Sequence, residues 1–114
     1  MTFRLYLLQR VTAALMAPMV IGHLVMIFLA TRDGLSAAEI LARTRGSVWW
    51  GLFYGAFVLA AAAHGAIGLR NVLAEWGPPR VSRSPRLLDG LMRAFGVALA
   101  LLGLRAVYAV IIAG

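Results

Sequence analysis

Two histidines, His23 and His64, carry the chemistry that stands out most in this chain. Both lie in long stretches without a charged residue, positions 11–30 and 46–69. Ionisable side chains inside a membrane-spanning segment are rare and usually functional. An imidazole in such a place can ligate a metal, and haem iron is commonly held by histidine. The sequence therefore predicts His64 and His23 as candidate axial ligands of haem iron.

The residues around each histidine leave a second interpretation open. Small side chains near His64 would leave room for a flat macrocycle, but small residues also let helices pack closely, with the imidazole hydrogen-bonded to a neighbouring helix. Methionines share a helical stripe with His23, and such stripes often serve adaptable packing. The residues concerned are Phe57, Ala60, Gly68, Asn71 and Glu75 around His64, and Met16, Met19 and Met26 around His23.

Two arginines could meet the carboxylates of a bound haem. Arg105 lies inside the apolar stretch 94–114, where a guanidinium needs an anionic partner, a wet cavity or a route to the interface. We expect Arg105 to bind a haem propionate or to extend to the outer interface. Arg10, near the start of the first helix, could likewise meet a propionate or anchor the helix among lipid headgroups.

Other chemistry is absent from the sequence. There is no cysteine, so this chain can supply no disulfide, no thiolate zinc site and no cysteine-ligated iron–sulfur cluster. Dinucleotide and phosphate-binding glycine motifs, a nucleophile elbow and a metal-spaced histidine pair are also missing. Any iron–sulfur centre that works with this chain must belong to a partner.

The composition identifies the solvent that surrounds these residues. Of 114 residues, 62% are apolar and 13% are charged, which is far too apolar for a water-exposed domain of this size. We predict an all-α membrane protein in a single domain, 1–114, with helices over 6–31, 47–75 and 87–113. A capping box formed by Ser36 and Glu39 predicts a short interfacial helix over 36–43.

The arginines set the orientation and exclude a nucleic-acid partner. The net charge is +7, but the arginines flank apolar segments and form no basic run. Most of them lie at the N-terminus and in the second loop, so the positive-inside rule places the N-terminus in the cytoplasm. At 1.5 Å per residue, His23 lies about 27 Å and His64 about 14 Å from the cytoplasmic end. Two ligands at such different depths cannot hold one iron, so each needs a histidine from another chain.

Two segments of the sequence are similar to a known family. Residues 64–76, HGAIGLRNVLAEW, resemble the motif of a histidine, a glycine four residues on and an acidic–aromatic pair in the second helix of succinate dehydrogenase membrane anchors. Residues 7–13, LLQRVTA, resemble the arginine-containing start of the first helix. Ala17, Pro18 and the roughly 20-residue first loop are similar to a fumarate reductase anchor.

The resemblance implies a membrane-anchor, cytochrome b subunit of a succinate dehydrogenase or fumarate reductase complex. The partners would be a flavoprotein, an iron–sulfur protein and a second anchor subunit, in the bacterial inner membrane. His64 would ligate haem b, and His23 would ligate a second haem, as in the two-haem members. Trp76, Glu75 and Arg10 would lie at the quinone, although the family often has tyrosine and aspartate where this chain has Trp76 and Glu75. Tryptophan can donate a hydrogen bond but supplies no phenolic proton.

Two other classes of function remain open at this point. One is a structural anchor without haem. The other is a small transport subunit, although proton-coupled transporters generally need a carboxylate inside the membrane and none of the three apolar segments contains one.

Overall fold

Three long helices form the molecule. The computed structural model describes residues 2–113, with the side chains of Ala37 and Ala113 outside the description. Helices α1 (Phe3–Asp33), α3 (Val48–Trp76) and α5 (Pro85–Tyr108) are the long elements, and a π-helical turn, Ala109–Ala113, extends α5. Helix α2 (Ala37–Thr44) occupies the first loop, and the single turn α4 (Pro79–Ser82) occupies the second.

Each long element is apolar and long enough to cross a membrane, with candidate spans at Phe3–Asp33, Val48–Trp76 and Pro85–Ile112. The predicted all-α membrane fold is confirmed. The observed α1 starts three residues before and ends two residues after the predicted 6–31, while α2 is displaced by one residue from the predicted 36–43.

Hydroxyl caps determine where four of the helices begin. In each case a serine or threonine side chain accepts a hydrogen bond from the backbone N–H three residues later, which satisfies a donor that has no partner within the helix. The pairs are Thr2 with Leu5, Ser36 with Glu39, Ser47 with Trp50 and Ser84 with Leu87. Helix α1 ends at Gly34, whose φ of +69° is a left-handed conformation that favours glycine.

Helix α3 lies between the other two long helices and packs antiparallel to both. Its side toward α5 approaches closely because small residues face each other: a Cβ added to Gly96 would lie 3.1 Å from the Cβ of Ala66. Gly103 lies against Val58 in the same interface. Close approach of backbones at small residues is the main source of helix association in lipid, where apolar surface alone supplies no driving force.

Both ends of the bundle carry polar links between elements. At the end where Phe3, Trp76 and Pro85 lie, which we call the arginine-rich end, the Arg70 Nε donates to Asp89 Oδ1 at 2.8 Å. At the opposite end, which we call the first-loop end, the backbone N–H of Gly46 donates to the carbonyl of Ile111 at 2.7 Å. These two contacts hold α5 to the rest of the chain at both membrane boundaries.

The large apolar side chains of the bundle face outward. Phe28 is 64% exposed, Leu101 64% and Trp49 82%, whereas half of the buried apolar residues in the described chain are alanines of α3, such as Ala62 and Ala66. This distribution is the reverse of a water-soluble core and fits a protein whose surroundings are lipid and partner helices.

Replacement of Gly103 tests the close contact between α3 and α5. Gly103→Ala places a methyl group against the Val58 side chain, so we expect a loss of about 1–3 kcal/mol of stability from overpacking. Gly90→Ala is the matched control, because a Cβ at that position of α5 has open space around it. Thermal denaturation of the purified complex measures both, and equal melting temperatures for the two variants would contradict this packing.

Candidate functional site

The seam between α1 and α3 brings the candidate residues together. Pairing is antiparallel: Gln9 lies next to Gly68, Thr12 contacts His64, and His23 contacts Tyr54. Eleven residues of α1 separate Thr12 from His23, which corresponds to about 16 Å along the helix. The two imidazoles therefore lie at different levels of the bundle, His64 nearer the arginine-rich end and His23 nearer the first-loop end.

His64 is held by a buried threonine. The Oγ1 of Thr12 lies 3.3 Å from the His64 Nδ1, and Thr12 itself is only 5% exposed. The other ring nitrogen, Nε2, makes no hydrogen bond to a described residue and is not among the buried polar atoms without a partner. Nε2 is thus not fully buried and has no hydrogen-bond partner among the described residues.

The two small residues around which the sequence predicts space lie one turn to either side of His64 on α3. Ala60 is buried in the bundle, and the Gln9 side chain lies beside Gly68, with its Nε2 3.6 Å from where a Cβ would be. A histidine ligand needs one ring nitrogen free of protons and of hydrogen bonds, and the accessible Nε2 meets the second condition. Among the described residues no group of three or more metal-ligating side chains is present. Because His23 lies about 16 Å further along α1, His64 is the one described histidine at this level that could hold a haem iron.

His23 has a different environment. Its ring packs edge-on against Tyr54 and Phe57, with centroid distances of 5.9 Å to each. Its Nδ1 is buried and has no hydrogen-bond partner among the described side chains and backbone. His23 also lines a cavity of about 280 Å³ beneath α2, together with Trp50 and Arg43. The cavity gives this imidazole an opening toward the first-loop end.

The three residues predicted at the quinone do not meet within this chain. Glu75 and Trp76 end α3, and Trp76 is 84% exposed. Arg10 is exposed on α1, where its guanidinium lies 5.8 Å from the centre of the Tyr6 ring. Because Gln9 pairs with Gly68, Arg10 lies roughly 12 Å from the level of Trp76 along α3. A shared site would require a ligand or partner chain that spans this distance.

Arg105 faces away from α3. Gly103 faces α3, where it contacts Val58. Arg105 lies two residues later, and because two residues turn a helix by about 200°, its side chain lies on the opposite side of α5. Its side chain is exposed and makes no ion pair with a described carboxylate. The pairing of Gly103 with Val58 also places Arg105 close to the level of Phe57, and hence of His23. Arg105 is therefore available to a group outside this chain at that level.

Sequence reasoning missed two polar residues of the seam, Thr12 and Gln9. Thr12 is the one described residue of α1 that is buried, and the Oε1 of Gln9 is buried with no hydrogen-bond partner among the described residues. Both follow the helical spacing of a face, Gln9 three residues before Thr12. A polar stripe of this kind in an apolar helix was the available signal, but only the antiparallel pairing shows which residues of α3 it faces.

Comparison with known proteins identifies the family. Residues 1–88 match the family model for the transmembrane subunit of succinate dehydrogenase and fumarate reductase. No curated protein and no solved structure matches the chain. The match covers α1 to the start of α5 and includes both histidines. The chain belongs to this family of transmembrane subunits, as the resemblance of segments 7–13 and 64–76 predicts.

Membership of the family indicates the complex to which the chain belongs. The chain is a multi-pass membrane subunit of an oxidoreductase complex, and the other subunits of a succinate dehydrogenase or fumarate reductase accompany it.

Proposed function

We propose that this chain is a haem-binding membrane anchor that carries electrons between the iron–sulfur subunit and a membrane quinone. The observation that carries the proposal is the position of His64. It lies inside a membrane-spanning helix and within the family match, and its Nε2 is neither fully buried nor hydrogen-bonded to a described residue. Haem b with histidine ligands supplies reversible one-electron transfer when it is bound. The chain would contribute the ligand and apolar surroundings.

The second ligand of the His64 iron comes from another subunit. This chain places one histidine at each level, and His23 and His64 are separated by about 16 Å along α1. Because a single iron cannot span that distance, a histidine of a second anchor subunit completes the site. This arrangement makes assembly of the complex a condition for haem binding.

A second haem at His23 follows from the same reasoning. His23 lies at the first-loop level, where Arg105 is available on the outer face of α5 for a propionate. Two haems at two levels would connect quinone chemistry near one membrane face with the opposite face. A single-haem anchor, in which His23 packs against Tyr54 and Phe57, is the alternative that the aromatic contacts favour.

The quinone site lies at the arginine-rich end in this proposal. Arg10 can donate up to five hydrogen bonds and Trp76 can donate one to a quinone oxygen. The Glu75 carboxyl would pass a proton to the quinone during its reduction, or take one from the quinol during its oxidation. By the positive-inside rule this end faces the cytoplasm, so the flavoprotein and iron–sulfur subunits bind there, in a bacterial inner membrane. Electrons would then enter next to Arg10 and the start of α1.

Two other functions would leave different traces in the purified complex. A structural anchor without haem would co-purify with the flavoprotein but show no reduced b-type absorption bands. A small transport subunit would show neither the flavoprotein nor the absorption bands. The four carboxylates of this chain, at 33, 39, 75 and 89, lie at helix ends or in loops, outside the middle of the spans.

Replacement of His64 tests the central assignment. In the complex purified with its flavoprotein, His64→Ala should remove the haem that His64 ligates, measured as reduced b-type absorption per flavin. Asn71→Ala, two turns further along the same face of α3, is the matched control and should keep the wild-type ratio. An unchanged haem-to-flavin ratio in an intact His64→Ala complex would rule out His64 as a ligand.

Replacement of His23 tests the second haem. If each histidine ligates its own iron, His23→Ala halves the haem-to-flavin ratio and removes one component from a redox titration. The component that remains should be the one that is lost in His64→Ala. Phe57→Leu is the control for altered packing around His23 and should keep both components. A wild-type titration that resolves one haem contradicts the two-haem proposal and leaves the assignment of His64 intact.

Replacement of Arg10 tests the quinone site. Loss of a charged hydrogen-bond donor should raise the KM for quinone about tenfold or more in Arg10→Leu, since such a bond contributes about 1.5–3 kcal/mol. Succinate oxidation with an artificial water-soluble acceptor should be unchanged, because it bypasses the quinone. Arg32→Leu, at the first-loop end, serves as the control. An unaltered quinone KM in Arg10→Leu would exclude Arg10 from the site.

A further inference from the structure

Thr12 is a buried hydroxyl, and it is the one buried residue in the described part of α1. Its Oγ1 lies 2.8 Å from the carbonyl oxygen of Leu8, 3.1 Å from that of Gln9 and 3.3 Å from the Nδ1 of His64. Two of these three neighbours, the carbonyls, can only accept a hydrogen bond. The third, an imidazole nitrogen, can donate or accept.

Counting protons assigns the direction of each bond. A threonine hydroxyl has one proton, and the shortest of its three contacts is with the Leu8 carbonyl, so the proton is donated within the α1 backbone. The lone pairs of Oγ1 remain to accept, and the group that faces them is His64 Nδ1. Nδ1 therefore carries the ring proton, and the lone pair of the neutral imidazole is on Nε2.

From this we infer that Thr12 is a positioning residue, which holds His64 in the tautomer and ring orientation that present the Nε2 lone pair to iron. The inference rests on the proposed function, since it requires that His64 ligates haem. Histidine ligands to metals almost always donate their other ring N–H to an oxygen, which fixes the tautomer and raises the basicity of the ligand. Here the oxygen comes from a different helix, so α1 sets the geometry of a ligand on α3.

His23 lacks this arrangement. Its Nδ1 is buried with no hydrogen-bond partner among the described residues, and its ring is held by the edges of Tyr54 and Phe57. The two imidazoles thus differ in the control of their tautomers. His64 is prepared for ligation before any cofactor arrives, whereas His23 would need an acceptor from outside this chain.

A hydrogen bond to Nδ1–H makes the imidazole a better electron donor, which favours ferric over ferrous iron. Removal of the acceptor should therefore raise the midpoint potential of the haem that His64 ligates. Such outer contacts typically change metal affinity by about 10- to 100-fold. For a one-electron couple, a tenfold change in favour of the ferrous form is a rise of about 59 mV.

The experiment compares Thr12→Val, Thr12→Ser and Thr44→Val in the purified complex. Valine keeps the shape of threonine and removes the acceptor, whereas serine keeps the hydroxyl and removes the methyl group. Thr44 is the matched control, because it is also buried and its hydroxyl likewise lies near the carbonyls three and four residues before it, Leu41 and Ile40. The readouts are the midpoint potential and the ferric low-spin electron paramagnetic resonance spectrum of the haem that disappears in His64→Ala.

The expected result is a raised potential and an altered spectrum in Thr12→Val, with Thr12→Ser and Thr44→Val close to wild type. Loss of the haem from Thr12→Val, together with its retention in Thr12→Ser, supports the inference equally. A wild-type potential and spectrum in Thr12→Val overturn it, and so does an identical defect in Thr12→Val and Thr12→Ser, which would mean that the methyl group acts through packing.

Failure of the proposed function gives a separate signature. If the wild-type complex contains no b-type haem, or if His64→Ala keeps all of it, the ligand assignment is wrong and the role of Thr12 falls with it. If His64→Ala removes the haem while the Thr12 variants have no effect, only the positioning role is overturned.

Discussion

The hydrogen bond between Thr12 and His64 joins two helices that are otherwise held by apolar packing. In lipid, an unsatisfied polar group is expensive and apolar surfaces gain little by meeting each other, so one polar contact has a large effect on how two helices are aligned. This contact sets the antiparallel register of α1 and α3. The register determines which residues of α3 lie next to Gln9 at one end and next to His23 at the other.

The register also separates the two imidazoles. Helix α1 presents Thr12 to His64 on α3, and its own His23 lies three turns further along, among aromatic rings of α3. In the proposed function, neither histidine could complete the coordination of an iron held by the other. The exposed apolar faces of the bundle fit a subunit that works in a complex.

Close packing of α3 against α5 supplies the rigid support for this arrangement. The interface contains glycines that allow close approach, with Gly96 against Ala66 and Gly103 against Val58, and Arg70 and Asp89 pair at its arginine-rich end. Helix α3 is thereby held on one side by backbone-to-backbone approach and on the other by the polar seam with α1.

Sequence alone determined the membrane fold, the three spans, the short α2 and the family, because hydropathy, capping hydroxyls and the spacing within residues 64–76 are local properties. It also placed His23 and His64 at unequal depths, since helix rise is constant. The partner of His64 was beyond its reach: Thr12 is 52 positions away, and which face of α1 meets α3 depends on rotation of each helix about its axis. Tertiary packing decides that rotation. The buried Thr12 hydroxyl donates its one proton to a carbonyl of α1, so the group that faces its lone pairs comes from the other helix of the seam, α3.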